Sequence, residues 1–151
     1  VAKKLAMSQT RPLKMVGRRQ IMAAKIPHFV WKIPPGKWAV KKKFVGAWRI
    51  IELEGFDTEY VDLCGPAIIK ISSGGIGRMN FGAVEMELDC KMDDLNEEVV
   101  RFSFEGSDEG DPTCGHGYFL NENHTMTGRI FRHCGDEISF KAQRMAKDGK
   151  A

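Results

Sequence analysis

The chain has 151 residues, 42% of them hydrophobic and 28% charged, with 16 glycines and a formal net charge of +3. A chain of this length buries roughly 68–70% of its unfolded surface in one compact domain, so neither disulfides nor a structural metal is needed for stability. No apolar run approaches the ~20 residues of a spanning helix, and no apolar stretch of about 7–15 residues precedes a small-residue cleavage site; we therefore expect neither a membrane span nor a secretory signal.

The charge is unevenly placed. Residues 1–43 hold 12 Lys or Arg and no acid, whereas residues 44–151 hold 11 Lys or Arg against 20 Asp or Glu, a balance of +12 against −9. This predicts a basic N-terminal extension, 1–43, joined to an acidic domain, 44–151. Pro12, Pro27, Pro34 and Pro35 break regular structure in the arm into short pieces. Within it LKMVGRRQIMAAK can turn one amphipathic helix, with Leu13, Val16, Ile21 and Ala24 opposite Lys14, Arg18, Arg19 and Lys25. Such an arm can meet nucleic-acid phosphates, an anionic membrane surface or an import receptor. It can also lie on an acidic protein surface, its own or a neighbour's. The aromatic strip IPHFVWKIPPGKW, with Phe29, Trp31 and Trp38, favours the protein surface, because such side chains gain most by burial against one. We expect a homo-oligomer, a dimer, with nucleic acid as the less favoured partner.

The domain reads as strands. FVGAWRIIELEGF opens it, and DTEYVDLCG follows with Asp57 as a helix N-cap and Gly65 as a stop, which predicts one short helix. PAIIKI and IGRMNF flank Ser72, Ser73, Gly74 and Gly75, a hairpin signal. GAVEMELDCKM alternates, placing Val84, Met86, Leu88, Cys90 and Met92 on one face and Glu85, Glu87, Asp89 and Lys91 on the other. VVRFSFEG turns Val100, Phe102 and Phe104 inward, and EISFKAQR does the same with Ile138, Phe140 and Ala142. HGYFLN and TMTGRIFR are β-rich in composition. The order is one strand, a helix and seven further strands, and a meander of eight closes into an up-and-down antiparallel barrel that removes its own edges. A barrel of that size is either filled by its side chains or holds one small ligand.

Gly46-x-Trp48 at the start of the first strand, the short helix, the meander and Arg144 at the end of the last strand resemble the calycin group of lipocalins and fatty-acid-binding proteins. That resemblance implies that Trp48 closes the barrel floor beneath Arg144, and that the interior binds a small apolar or amphipathic molecule. The strings FSFEGSDEGD and GRIFRHCGDEISF are similar to those of small uncharacterised bacterial proteins. Trp48, Met86, Leu88, Phe102, Phe104, Ile130, Phe140 and Arg144 are the candidate ligand-binding residues.

Three constellations carry possible chemistry. GSDEGDP puts Asp108, Glu109 and Asp111 in a Gly-rich loop, where carboxylates can take a hard cation or simply make a solvated turn. Cys114, His116, His133 and Cys134 fall on one hairpin; a turn centred on Asn123 would set 114 opposite 132 and give Cys114, His116 and Cys134 a shared face. A one-residue slip would change that set. HCGDE brings His133, Asp136 and Glu137 near the acidic loop if both connections share a barrel end, an arrangement suited to acid/base work. No nucleophile elbow or phosphate-cradling glycine loop accompanies them, and no cofactor is called for. The four cysteines contain no C-x-x-C pair and read as free thiols of a cytoplasmic chain. Two functions follow: a barrel that binds one small ligand, or an interaction module that works through its arm. A barrel filled with large side chains favours the second.

Overall fold

A computed structural model describes residues 39–147. The helix expected at 13–25 and the aromatic residues Phe29, Trp31 and Trp38 lie outside the described residues. The elements are β1 (Gly46–Leu53), α1 (Thr58–Val61), β2 (Ile68–Ile71), β3 (Ile76–Phe81), β4 (Val84–Met92), β5 (Val99–Asp108), β6 (Asp111–Glu122), β7 (Thr125–Arg132) and β8 (Glu137–Arg144). Each strand pairs antiparallel with the next, and β8 returns to β1, closing the expected eight-stranded barrel.

The period-two pattern decides which side chains enter the barrel. On β4, Val84, Met86, Leu88 and Cys90 are buried while Glu85, Glu87 and Asp89 are exposed. On β5, Val100, Phe102 and Phe104 are buried, as are Ile138, Phe140 and Ala142 on β8. Burying an apolar side chain of this size stabilises by about 1.5–3 kcal/mol. The first strand breaks the pattern once. Its pairing with β8 shifts register between Ile50 and Glu52, so Ile50 points into the core, Ile51 faces out and Leu53 turns back in. This bulge turns Leu53 inward, where strict alternation from Trp48 and Ile50 would face it out.

Tight turns set the register elsewhere. Glu109 and Gly110, both at positive φ (52° and 91°), join β5 to β6, and Asn123 and His124 (50° and 69°) join β6 to β7. Two consecutive residues of that hand match the twist of the strands they connect. GSDEGDP is therefore a two-residue turn, with Asp108 and Asp111 as the last strand pair. The β6–β7 turn lies between Asn123 and His124 and is not centred on Asn123, so Gly115, and not Cys114, stands opposite Arg132.

The interior is narrow and is filled in a specific way. Phe104 stands opposite Gly115, Phe102 opposite Gly117, and Phe140 opposite Gly128. Each ring lies across the glycine of the neighbouring strand. A Cβ at Gly115 would sit 2.8 Å from Phe104 Cζ, one at Gly128 would sit 2.7 Å from Phe140 Cζ, and one at Gly117 would collide with the Phe102 ring. A large ring over a strand glycine replaces the packing that the glycine lacks. Phe102 then stacks on Phe119 at 5.5 Å between centroids, and Phe119 meets Phe44 at 5.8 Å, carrying the aromatic column to one end of the barrel.

Helix α1 covers the opposite end. Asp57 caps it by accepting from Tyr60 N at 2.8 Å, as its position predicts. Gly82 N donates to Val61 O at 2.8 Å, and the Tyr60 ring lies so close to Gly82 that a Cβ there would come within 2.7 Å. Arg49 ties the helix end to β1 by an ion pair with Asp62 and a 2.9 Å hydrogen bond to Ala67 O. The Arg49 hydrogen bond holds the Asp62 carboxyl below the usual carboxylate range.

Gly128→Ala would bring a Cβ into collision with Tyr118 O and to 2.7 Å from Phe140 Cζ and should lower stability by about 1–3 kcal/mol, read as a lower urea midpoint. Gly74→Ala, whose Cβ would meet only Ser72 Oγ at 4.0 Å, should leave that midpoint nearly unchanged.

Candidate functional site

Three parts of the barrel hold the residues singled out by the sequence. The first is the floor. Trp48 is fully buried, and its Nε1 donates to Phe44 O at 2.9 Å. The Arg144 guanidinium lies over the Trp48 ring, 4.2 Å from its centroid, donates from Nη1 to Val45 O at 2.8 Å, and reaches Lys43 O through Nη2. A half-buried cation over an indole is worth about 0.5–2 kcal/mol. Gly46 makes room for this: its φ is +125°, and a Cβ there would stand 3.1 Å from Arg144 Nη1. The Gly-x-Trp spacing thus has a local cause, since the residue two before the tryptophan must let the arginine reach the backbone. Phe44, absent from the sequence candidates, is also fully buried and plugs this end.

The second part is the interior. Met86, Leu88, Phe102, Phe104, Ile130 and Phe140 all point into the barrel and are buried against one another. Their burial is graded along the axis. Trp48, Phe119 and Met126 at the floor have 0% exposure, whereas Phe104, Ile138 and Val84 at the helix end keep 5%, 7% and 8%.

The third part is the rim at the helix end, where the β5–β6 and β7–β8 connections meet. Asp108 accepts from Arg132 Nη1 at 2.8 Å, and Arg132 Nε donates to Thr113 Oγ1 at 3.1 Å. Arg132 and Thr113 were missed by sequence reasoning. The signal was present in β7, where Met126, Gly128 and Ile130 set an inward parity that Arg132 continues. Burial raises the Tyr60 phenol above its usual range, and the charges of Asp108 and Glu109 add to the shift. Glu109, Asp111, His133 and Asp136 are exposed around this rim. With Asp108 engaged by Arg132, the three carboxylates of the GSDEGDP turn do not converge. Among the described residues no group of three or more His, Cys, Asp or Glu is placed to hold a metal ion.

The cysteine and histidine hairpin is rearranged by the one-residue change of register. His133 N donates to Cys114 O at 2.8 Å, so Cys114 faces His133 across the ladder, while Cys134 lies in the turn at φ +55°. Cys114 and His116 keep the expected shared face on the outside of β6, while Cys134 leaves it for the turn. His116 lies outside and stacks on Phe131 at 5.0 Å. All four cysteines are free: Cys64, Cys114 and Cys134 are exposed, and Cys90 is buried, which pushes its thiol up to about 12.

Comparison with protein-family models and with curated proteins finds no match to this chain. No helix among the described residues is long and apolar enough to cross a membrane.

Trp48→Ala should remove the floor and cost ~3–5 kcal/mol, as large aromatic truncations in cores do. Equilibrium unfolding in guanidinium checks it, with an unchanged midpoint as the contrary result.

Proposed function

We propose that this protein is a non-catalytic interaction module that assembles as a homodimer through its basic N-terminal arm, with the barrel as a rigid scaffold. The observation that carries this reading is the packed interior. Phe102, Phe104 and Phe140 lie across the glycines of neighbouring strands, so the barrel centre is occupied by the chain itself and recognition moves to the outside. The last residues of the arm support it. Lys41 pairs with Glu97 at 2.8 Å, Lys43 pairs with Glu98, and these contacts hold both carboxyls below the usual carboxylate range. Such exposed pairs are screened by solvent, so they indicate a direction of pairing and not a source of stability. Val40 and Phe44, both buried, anchor this stretch. The free, exposed thiols of Cys64, Cys114 and Cys134 support a reducing, cytoplasmic setting.

A second reading, one small apolar molecule bound in the barrel, is favoured by the graded burial alone. On this reading the residual exposure of Phe104, Ile138 and Val84 supports an entrance at the helix end.

Removing residues 1–38 should lower the mass measured by light scattering from twice the chain mass to once, with the circular dichroism of the barrel retained. An intact protein that is already monomeric would end the self-association reading. So would tight binding of duplex nucleic acid at ~0.15 M salt that weakens steeply as salt rises, since that dependence marks phosphate contact.

A further inference from the structure

The turn between β7 and β8 sets a thiol beside an imidazole. Gly135 N donates to Arg132 O at 3.2 Å, closing a tight turn over residues 132–135 in which Cys134 is the third residue, at φ +55°. That position favours glycine or asparagine, which enter the left-handed region at least cost. A cysteine held there carries strain, and strain of this kind collects where a side chain is used. Cys134 Sγ lies 3.5 Å from His133 Nε2, and both residues are exposed. In the ring tautomer protonated at Nδ1, Nε2 accepts the thiol hydrogen.

A second thiol stands across the ladder. His133 N donates to Cys114 O at 2.8 Å, so Cys134 is one residue past the position directly opposite Cys114. Both thiols are free and exposed. A groove of about 470 Å³ opens beside Cys114, bordered by Glu105, Gly106, Pro112 and Thr113. Gly106 has no side chain to fill it, so a small molecule can approach this hairpin from outside the barrel.

We propose that Cys134 and Cys114 form a thiol pair that a hydroperoxide oxidises to a disulfide, with His133 carrying the proton. The proposal goes beyond the self-association reading and does not depend on it. His133 Nε2 takes the proton of Cys134, and the sulfur attacks one peroxide oxygen. The S–O bond forms as the O–O bond breaks, the sulfur is oxidised to a sulfenic acid, and the departing oxygen leaves as water or an alcohol with the proton from His133. The Cys114 sulfur then attacks the Cys134 sulfur. The S–S bond forms, the S–O bond breaks, and the hydroxyl leaves as water with the Cys114 proton. Two thiols and one hydroperoxide thus give one disulfide, one water and one further water or alcohol. The bond ties β6 to the β7–β8 turn, next to the hydrogen bond from Arg132 Nε to Thr113 Oγ1. A transient bond of this kind suits a reducing compartment, where disulfides serve sensing and not stability.

The test uses the full-length chain, reduced and then freed of reductant. Treated with an equimolar amount of hydrogen peroxide, it should lose two hydrogens in its intact mass. A non-reducing digest should join the peptides of Cys114 and Cys134, and dithiothreitol should separate them. Cys114→Ser should stop the reaction at the Cys134 sulfenic acid, trapped as one dimedone adduct per chain. His133→Gln, with unchanged circular dichroism, should slow the oxidation by about 10²-fold, the usual worth of a positioned base. Alkylation of Cys64, exposed in the loop after α1, should keep its native rate in that variant. Oxidation of Cys134 and Cys64 at one rate would overturn the proposal, as would a bridge that joins Cys64 or two chains. So would His133→Gln protein that oxidises as fast as the native chain. Sulfinic acid at Cys134 with no bridge would overturn it too, because Cys114 would then be out of reach.

Discussion

Three phenylalanine rings laid across three strand glycines set the dimensions of this barrel. An eight-stranded barrel has little interior to share. Phe104 over Gly115, Phe102 over Gly117 and Phe140 over Gly128 spend it on the chain's own side chains. The glycines lie on β6 and β7, the phenylalanines on their neighbours β5 and β8, so each pair also fixes the register of two strands. The Phe102, Phe119 and Phe44 column extends the same packing to the floor. Because the rings and glycines are complementary, neither set can change size alone, and the closed core leaves the outer walls as the exposed surface.

The floor links this core to the two ends of the described chain. Arg144, at the end of the last strand, covers Trp48 on the first and bonds to the carbonyls of Lys43 and Val45. The strand that closes the barrel therefore also holds the segment through which the arm arrives. Val40 and Phe44 are buried in the same region, and Lys41 and Lys43 reach the loop between β4 and β5. That loop is held by Asp93, whose Oδ1 accepts from Leu95 N at 2.8 Å and Asn96 N at 3.0 Å. These backbone hydrogen bonds, helped by Arg101, keep its carboxyl below the usual range, so the loop stays a firm partner for the lysines at neutral pH.

Most of the architecture was legible because alternation is a strong signal where one face is buried. VEMELDCKM could be read in full, since every second residue is apolar and every other one charged. The start of the helix was readable from Asp57, whose capping role is local, whereas its end is capped at Asp62, ahead of the Gly65 expected as its stop. Three features were not. Gly115, Gly117 and Gly128 lower strand propensity and look like turn residues, because the ring that completes each one lies on the neighbouring strand and is matched to it only once the register is known. The β6–β7 register missed by one residue because two residues of positive φ, Asn123 and His124, place the reversal between them; that single step exchanged the neighbours of Cys114. Arg132 escaped notice because an inward arginine makes sense only once Asp108 is seen across the rim. Interior candidates such as Phe102 and Phe140 were identified by parity, but parity cannot say whether inward residues leave a space. That is a property of summed volume, settled by which glycines face which rings.

The central claim is that the barrel is filled by its own side chains and acts as a scaffold. A native mass spectrum of freshly expressed, full-length protein tests it most directly, because apolar ligands acquired in the cell survive gentle transfer. The account predicts masses at whole multiples of the chain mass, with the doubled mass dominant and no added small molecule. A retained apolar molecule at one copy per chain, released on unfolding, would contradict it and would make the barrel a container.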